Sequence, residues 1–89
     1  MEGKVKEKVI ELVGDKLNKL NIWIDDVYID KEDNVNYLRI ALDADFIIPL
    51  NTVVMATRII NPIIDKTDII DDTYILDIYA KEKGDVKNE

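Results

Sequence analysis

Between residues 2 and 80 the apolar side chains switch between two spacings, and that switching constrains the fold more than any other feature of the chain. Across 2–20, Val5, Val9, Leu12, Val13, Leu17 and Leu20 recur at helical spacing, with Lys4, Lys6, Glu7, Lys8, Glu11, Asp15 and Lys16 on the other face. Gly14 interrupts this pattern at a cost of about 1 kcal/mol relative to Ala, and reads as close packing, an early helix end or a tolerated exposed glycine. Residues 22–30 are rich in β-branched and aromatic types and predict a strand. Asp25 and Asp26 are adjacent and break its alternation, which a bulge or a strand start near Asp26 resolves. Lys31 to Asn36 is a polar turn. Tyr37 to Leu42 then alternates cleanly, with Leu38, Ile40 and Leu42 facing the core, so the two strands form an antiparallel hairpin.

Helical spacing returns over 50–65, with Val53, Val54, Ala56, Ile60, Ile63 and Ile64 as the apolar set. Asn51 is a candidate N-cap and Pro49 the competing start. Asn61-Pro62 predicts that the helix ends or kinks there, with Asn61 capping a short continuation through Asp65. Residues 74–79 predict a third strand, with Tyr74, Leu76 and Ile78 inward. The order helix, strand, strand, helix, strand implies an α+β, two-layer sandwich with two helices on one face of a three-stranded sheet. The second helix is then a crossover that makes strands two and three parallel in direction. We expect strand three to lie beside strand one, in a split arrangement. Residues 1–80 form one domain and 81–89 a charged tail expected to be disordered.

An 89-residue chain buries only about 60% of its unfolded surface, so its one core must be efficient. The chain has no Cys, His, Ser or Gln. Disulfides, thiolate chemistry and Ser or Cys triads are therefore ruled out within it, and the side chain best suited to proton transfer near neutral pH is missing. No cofactor or metal site is expected, and the chain reads as a binding protein, not an enzyme. A net charge of −7 disfavours a sequence-independent grip on nucleic acid and favours a basic partner. No apolar run has membrane-spanning length and no signal peptide is evident, which reads as cytoplasmic.

The acidic side chains come in groups. Asp30, Glu32, Asn34 and Asn36 mimic the alternating ligands of a calcium loop, but Val35 stands where Gly is needed and Ala41 where the bidentate acid is needed. A solvated hairpin turn is the better reading. Asp65, Asp68, Asp71 and Asp72 surround Ile69-Ile70, which reads either as a loop anchored by two buried isoleucines or as an acidic contact surface for a basic protein. Arg39 and Arg58 are the only arginines. Arg39 sits on the outer sheet face, where pairing with Asp77 or Asp25 is the default and a phosphate contact the alternative. Arg58 is expected to be exposed on the second helix. Trp23 and Tyr28 are of the type that stacks on bases, but packing within the sheet or core is the simpler account.

Three segments resemble the N-terminal domain of RimP, a bacterial ribosome maturation factor family. Tyr37-Leu38-Arg39-Ile40 with Asp43 resembles that family's second strand and the turn after it. Ile48, Leu50, Asn51, Thr52, Thr57 and Arg58 resemble its helix-start and mid-helix motif. Asp65 through Ile78 resembles the segment that ends in its third strand. Pro49 departs from the family's usual Ser or Thr, and Asn51 from its Asp. The family continues into a second, SH3-like domain that these 89 residues lack, so the chain is either a segment of a longer protein or a single-domain relative. The resemblance implies a role in assembly of the small (30S) ribosomal subunit, through contact with a basic ribosomal protein and adjoining 16S rRNA. The candidate contact residues are Asp65, Asp68, Asp71, Asp72, Arg39 and Arg58. The alternatives are a KH-like RNA-binding module and a homo-oligomeric interaction domain; the former normally carries a Gly-x-x-Gly loop, absent here.

Overall fold

The structure, a computed structural model, describes residues 2–70 and 72–82. Helix α1 (Glu2–Val13) runs into a 3-10 segment (Gly14–Leu20), followed by strands β1 (Ile22–Glu32) and β2 (Val35–Ala44), helix α2 (Leu50–Asp65) and strand β3 (Ile75–Ala80). Gly14 thus marks the end of α1, and the helical pattern continues past it in the tighter 3-10 form. The segment closes on Asn21, whose left-handed backbone (φ 62°) lets its N–H donate to the Asn18 carbonyl at 2.9 Å. The expected α+β order is the observed one. The expectation for 81–89 falls mostly on residues 83–89, outside the described part.

β1 and β2 pair antiparallel, with the register shifting between Ile24 and Asp26, so the bulge signalled by the two aspartates is present at Asp25. The hairpin turn is tighter than the sequence suggests. Glu32 pairs with Val35, and only Asp33 and Asn34 form the loop, both at positive φ (53° and 66°). Two successive left-handed residues match the right-handed twist of the flanking strands, and Asp and Asn are the non-glycine types that tolerate them best.

Strand β3 is parallel to β2, as the crossover requires, but it lies beside β2 and not beside β1. That corrects the split arrangement expected above, and the reason is local. β2 alone is apolar enough to be flanked on both sides: Leu38, Ile40, Ala41, Leu42 and Ala44 are all buried. β1 carries the bulge and two carboxylates at its midpoint, which suit an edge and spoil a second ladder. The sheet order is therefore β1-β2-β3.

The core lies between the sheet and the helices. Val9, Val13 and Leu17 descend from the N-terminal helical stretch, and Ala56, Ile60 and Ile64 from α2. They meet Ile22, Val27, Leu38, Ile40 and Leu42 from the sheet. Tyr74, Leu76 and Ile78 pack against this cluster as the alternation of the third strand predicts. Val54, part of the expected apolar set of α2, is exposed instead, as are Leu50, Ile47 and Phe46 just before it.

Of the alternatives read for α2, the structure selects one at each end. Pro49, and not Asn51, is the N-cap; the Thr52 and Val53 N–H groups both donate to its carbonyl, and no side chain caps the helix. The helix does not end at Asn61-Pro62, and Asn61 caps no separate continuation; α2 runs through to Asp65, the span of the apolar pattern. Pro62 is exposed, as is Arg58, whose carbonyl loses its helical donor, so water can replace the missing bond. Burial of Ile60 and Ile64 on the opposite face holds the last turn in place.

Candidate interaction surfaces

Two clusters of charge stand out, at different places on the fold. The first is on the sheet face turned away from the helices. Alternation puts Tyr28, Arg39 and Asp77 side by side there, one from each strand, because Tyr28 pairs with Arg39 and Arg39 with Asp77. Arg39 Nε donates to Asp30 Oδ2 at 3.1 Å, Nη2 to Glu32 Oε2 at 3.0 Å, and Nη1 to Asp77 Oδ2. Its guanidinium also stacks on the Tyr37 ring, 4.6 Å from the centroid. Partial burial works against the Arg39 charge, yet the hydrogen bonds to Asp77 and Asp30 and the charges of Glu32 and Asp30 outweigh it and raise its pKa. Of the two partners expected from the sequence, Asp77 is used. Asp25 instead lies 3.5 Å from Lys81 Nζ. Asp30 and Glu32 escaped the sequence reading because they reach Arg39 along the diagonal and not straight across the ladder.

The second cluster is the loop between α2 and β3. Asp65, Asp68, Asp72, Asn61 and Tyr74 line an open hollow of about 450 Å³. The loop is pinned at several points. Ile69 and Ile70 pack against the core, which bears out their reading as anchors. The Thr67 hydroxyl donates to the Ile63 carbonyl, and Asn36 Nδ2 donates to Asp72 Oδ2 at 3.2 Å. Asp68 takes a left-handed conformation (φ 49°). Burial first, then the charges of Asp65 and Asp68, raises the pKa of the Tyr74 hydroxyl. Among the described residues, no Lys or Arg comes within ion-pair distance of Asp65, Asp68 or Asp72. Lys66 follows Asp65 directly and is exposed without an ion pair to these carboxylates, and Lys4 and Lys8 of α1 share a smaller neighbouring hollow with Asp68. Asp71 lies outside the described residues.

The candidate residues are thus only partly brought together. Asp65, Asp68 and Asp72 share one hollow, and Arg58 is exposed two helical turns before Asp65, about 10 Å along the helix. Arg39 is on the opposite face of the sheet and occupied by carboxylates. Trp23 and Tyr28 also lie on that outer face and not in the core; Trp23 is 43% exposed. Among the described residues no three carboxylates converge tightly enough to hold a metal ion, and no helix is long and apolar enough to cross a membrane.

A family model described as the RimP N-terminal domain matches residues 6–80. The chain belongs to the RimP family. RimP proteins are ribosome maturation factors, and this is the general function that membership assigns. The match spans both clusters and all three segments in which the resemblance was read. It includes Pro49 and Asn51, where the RimP pattern usually has Ser or Thr and Asp. Here the start of α2 has no side-chain cap, and the Pro49 carbonyl accepts from the Thr52 and Val53 N–H groups.

Proposed function

We propose that the domain acts in maturation of the small (30S) ribosomal subunit by binding a basic ribosomal protein on the maturing particle, with 16S rRNA as a secondary contact. It acts there as a cytoplasmic binding protein and not as a catalyst. The contact surface is the α2–β3 loop, with Asp65, Asp68, Asp71 and Asp72 as its charges and Arg58 at its margin. Arg39 acts indirectly, by ordering the sheet.

The observation that carries this reading is the acidity of the loop, whose described carboxylates make no ion pair, in a chain of RimP family and net charge −7. Carboxylates held in place by an anchored loop, and not tied up in ion pairs among the described residues, suit a positively charged partner and steer its approach. The same acidity opposes phosphate, which argues for protein as the primary contact. Sucrose-gradient centrifugation of the purified chain with immature small subunits at low salt tests the reading. Co-migration with those particles is expected, and absence from their fractions would refute it.

A further inference from the structure

We propose that the part of the outer sheet face built around Trp23, Tyr28, Ala41 and Tyr79 is a docking surface for an extended, arginine- and lysine-rich segment of a partner protein. Both helices pack on the other side of the sheet, so no element of the described chain covers this one. The strand register brings the residues together: Trp23 pairs with Asp43, Asp26 with Ala41, and Ala41 with Tyr79. Ala41 is the small residue on the outer face of the central strand. Over it, the Tyr28 and Tyr79 hydroxyls meet at 2.9 Å. That bond fixes both rings as a firm aromatic platform, with Trp23 further along β1. Rigid Tyr and Trp side chains on a flat surface are the usual anchors of protein interfaces, because they bury large area at low entropic cost.

Charge selects the occupant. On this face the three strands present Asp26, Asp30, Glu32 and Asp77, and Arg39 is the cation among them. The pairs that Asp26 and Asp25 make with Lys6 and Lys81 are long, at 3.5 Å, and exposed, so an incoming guanidinium can displace them at little cost. Aromatic faces beside carboxylates favour Arg and Lys, and the stack of Arg39 on Tyr37 shows the same arrangement within the molecule. An RNA strand finds the aromatic surface but also a row of carboxylates facing its phosphates. About five extended residues reach from Trp23 to Tyr28.

Trp23 is the only tryptophan, so its emission reports on this surface alone. A ten-residue peptide of alternating Arg and Gly, titrated into the full chain at low salt, is expected to change that emission saturably. The same peptide with Glu in place of Arg is expected to give no change. Tyr79→Ala and Ala41→Lys are each expected to weaken the Arg peptide at least tenfold, while Asp65→Asn/Asp68→Asn/Asp72→Asn leaves its affinity unchanged. Tyr79→Ala removes one half-exposed ring and decides the matter if Ala41→Lys does not fold. Unchanged affinity in Tyr79→Ala overturns the proposal. So does tighter binding of a ten-nucleotide oligouridine, or a free chain that is already dimeric with Trp23 buried. Neither ribosomal particles nor the α2–β3 loop enter the predicted change, so failure here leaves the proposed function standing.

Discussion

Arg39 and the α2–β3 loop use the same kind of side chain to opposite ends. Around Arg39, Asp30, Glu32 and Asp77 converge on one guanidinium, and strand register dictates the meeting. Around the loop hollow, Asp65, Asp68 and Asp72 converge with no cation in ion-pair reach among the described residues. The first cluster spends its charge inside the molecule, tying three strands together across their outer face. The second leaves its charge outward and is held by apolar anchors instead. A carboxylate group in a sequence therefore says little until its neighbours across the sheet are known.

The sharpest way to break this contrast is to remove the cation. Arg39→Gln leaves three part-exposed carboxylates facing one another across the strands, so like-charge repulsion replaces three ion pairs. We expect the largest fall in melting temperature of any outer-face substitution, partly recovered in high salt because like-charge repulsion is screened. Thermal melts at two salt concentrations measure it; a salt-independent loss would mean that packing, and not charge, is what Arg39 supplies.

Next in size is the loop anchor. Ile70→Ala removes a partly buried side chain that packs against the core, and should cost about 1–2 kcal/mol in urea unfolding. Replacing all three described loop aspartates by Asn should shift stability by no more than about 0.5 kcal/mol. Pro62→Ala acts in the last turn of α2, just before the loop. Restoring the donor to the Arg58 carbonyl stabilises the helix, and the extra freedom of the unfolded chain offsets part of the gain, leaving about 1 kcal/mol.

The smallest effect at neutral pH concerns Tyr28 and Tyr79. The hydrogen bond between the Tyr79 and Tyr28 hydroxyls, with burial and nearby negative charge, pushes the Tyr79 pKa from 10.0 up to about 12. The folded state therefore holds a proton that the unfolded chain gives up near pH 10, and the stabilisation is complete below that pH. It is lost as the pH rises from 10 toward 12. Tyr28→Phe removes the largest cause of the shift, so ultraviolet titration should show Tyr79 ionising at lower pH, with little change in melting temperature at pH 7.

The elements themselves were legible because each has its own apolar period, and the adjacent Asp25 and Asp26 announced the bulge. The neighbour of β3 was not legible. Alternation tells which side chains of 74–79 face inward, but not which strand they lie against, and that choice depends on the burial of Ala41 and Leu42 on both flanks of β2. Pro62 misled because local chemistry disfavours it in a helix, while the burial of Ile60 and Ile64 on the far face decides the outcome. Of the candidate site residues, the loop aspartates were visible as a group. The occupation of Arg39 by Asp30 and Glu32, and the bond between the Tyr28 and Tyr79 hydroxyls, needed the register.

The central claim, that the loop faces a partner while the Arg39 cluster serves the fold, is tested most directly by one gradient experiment. Wild type, Arg39→Gln and Asp65→Lys/Asp68→Lys/Asp72→Lys are sedimented with immature small subunits at a temperature where all three are folded. The account predicts that Arg39→Gln co-migrates as wild type does and that the loop variant loses at least about tenfold in association, roughly 1.4 kcal/mol. A loop variant that still co-migrates, with Arg39→Gln left behind, would contradict it.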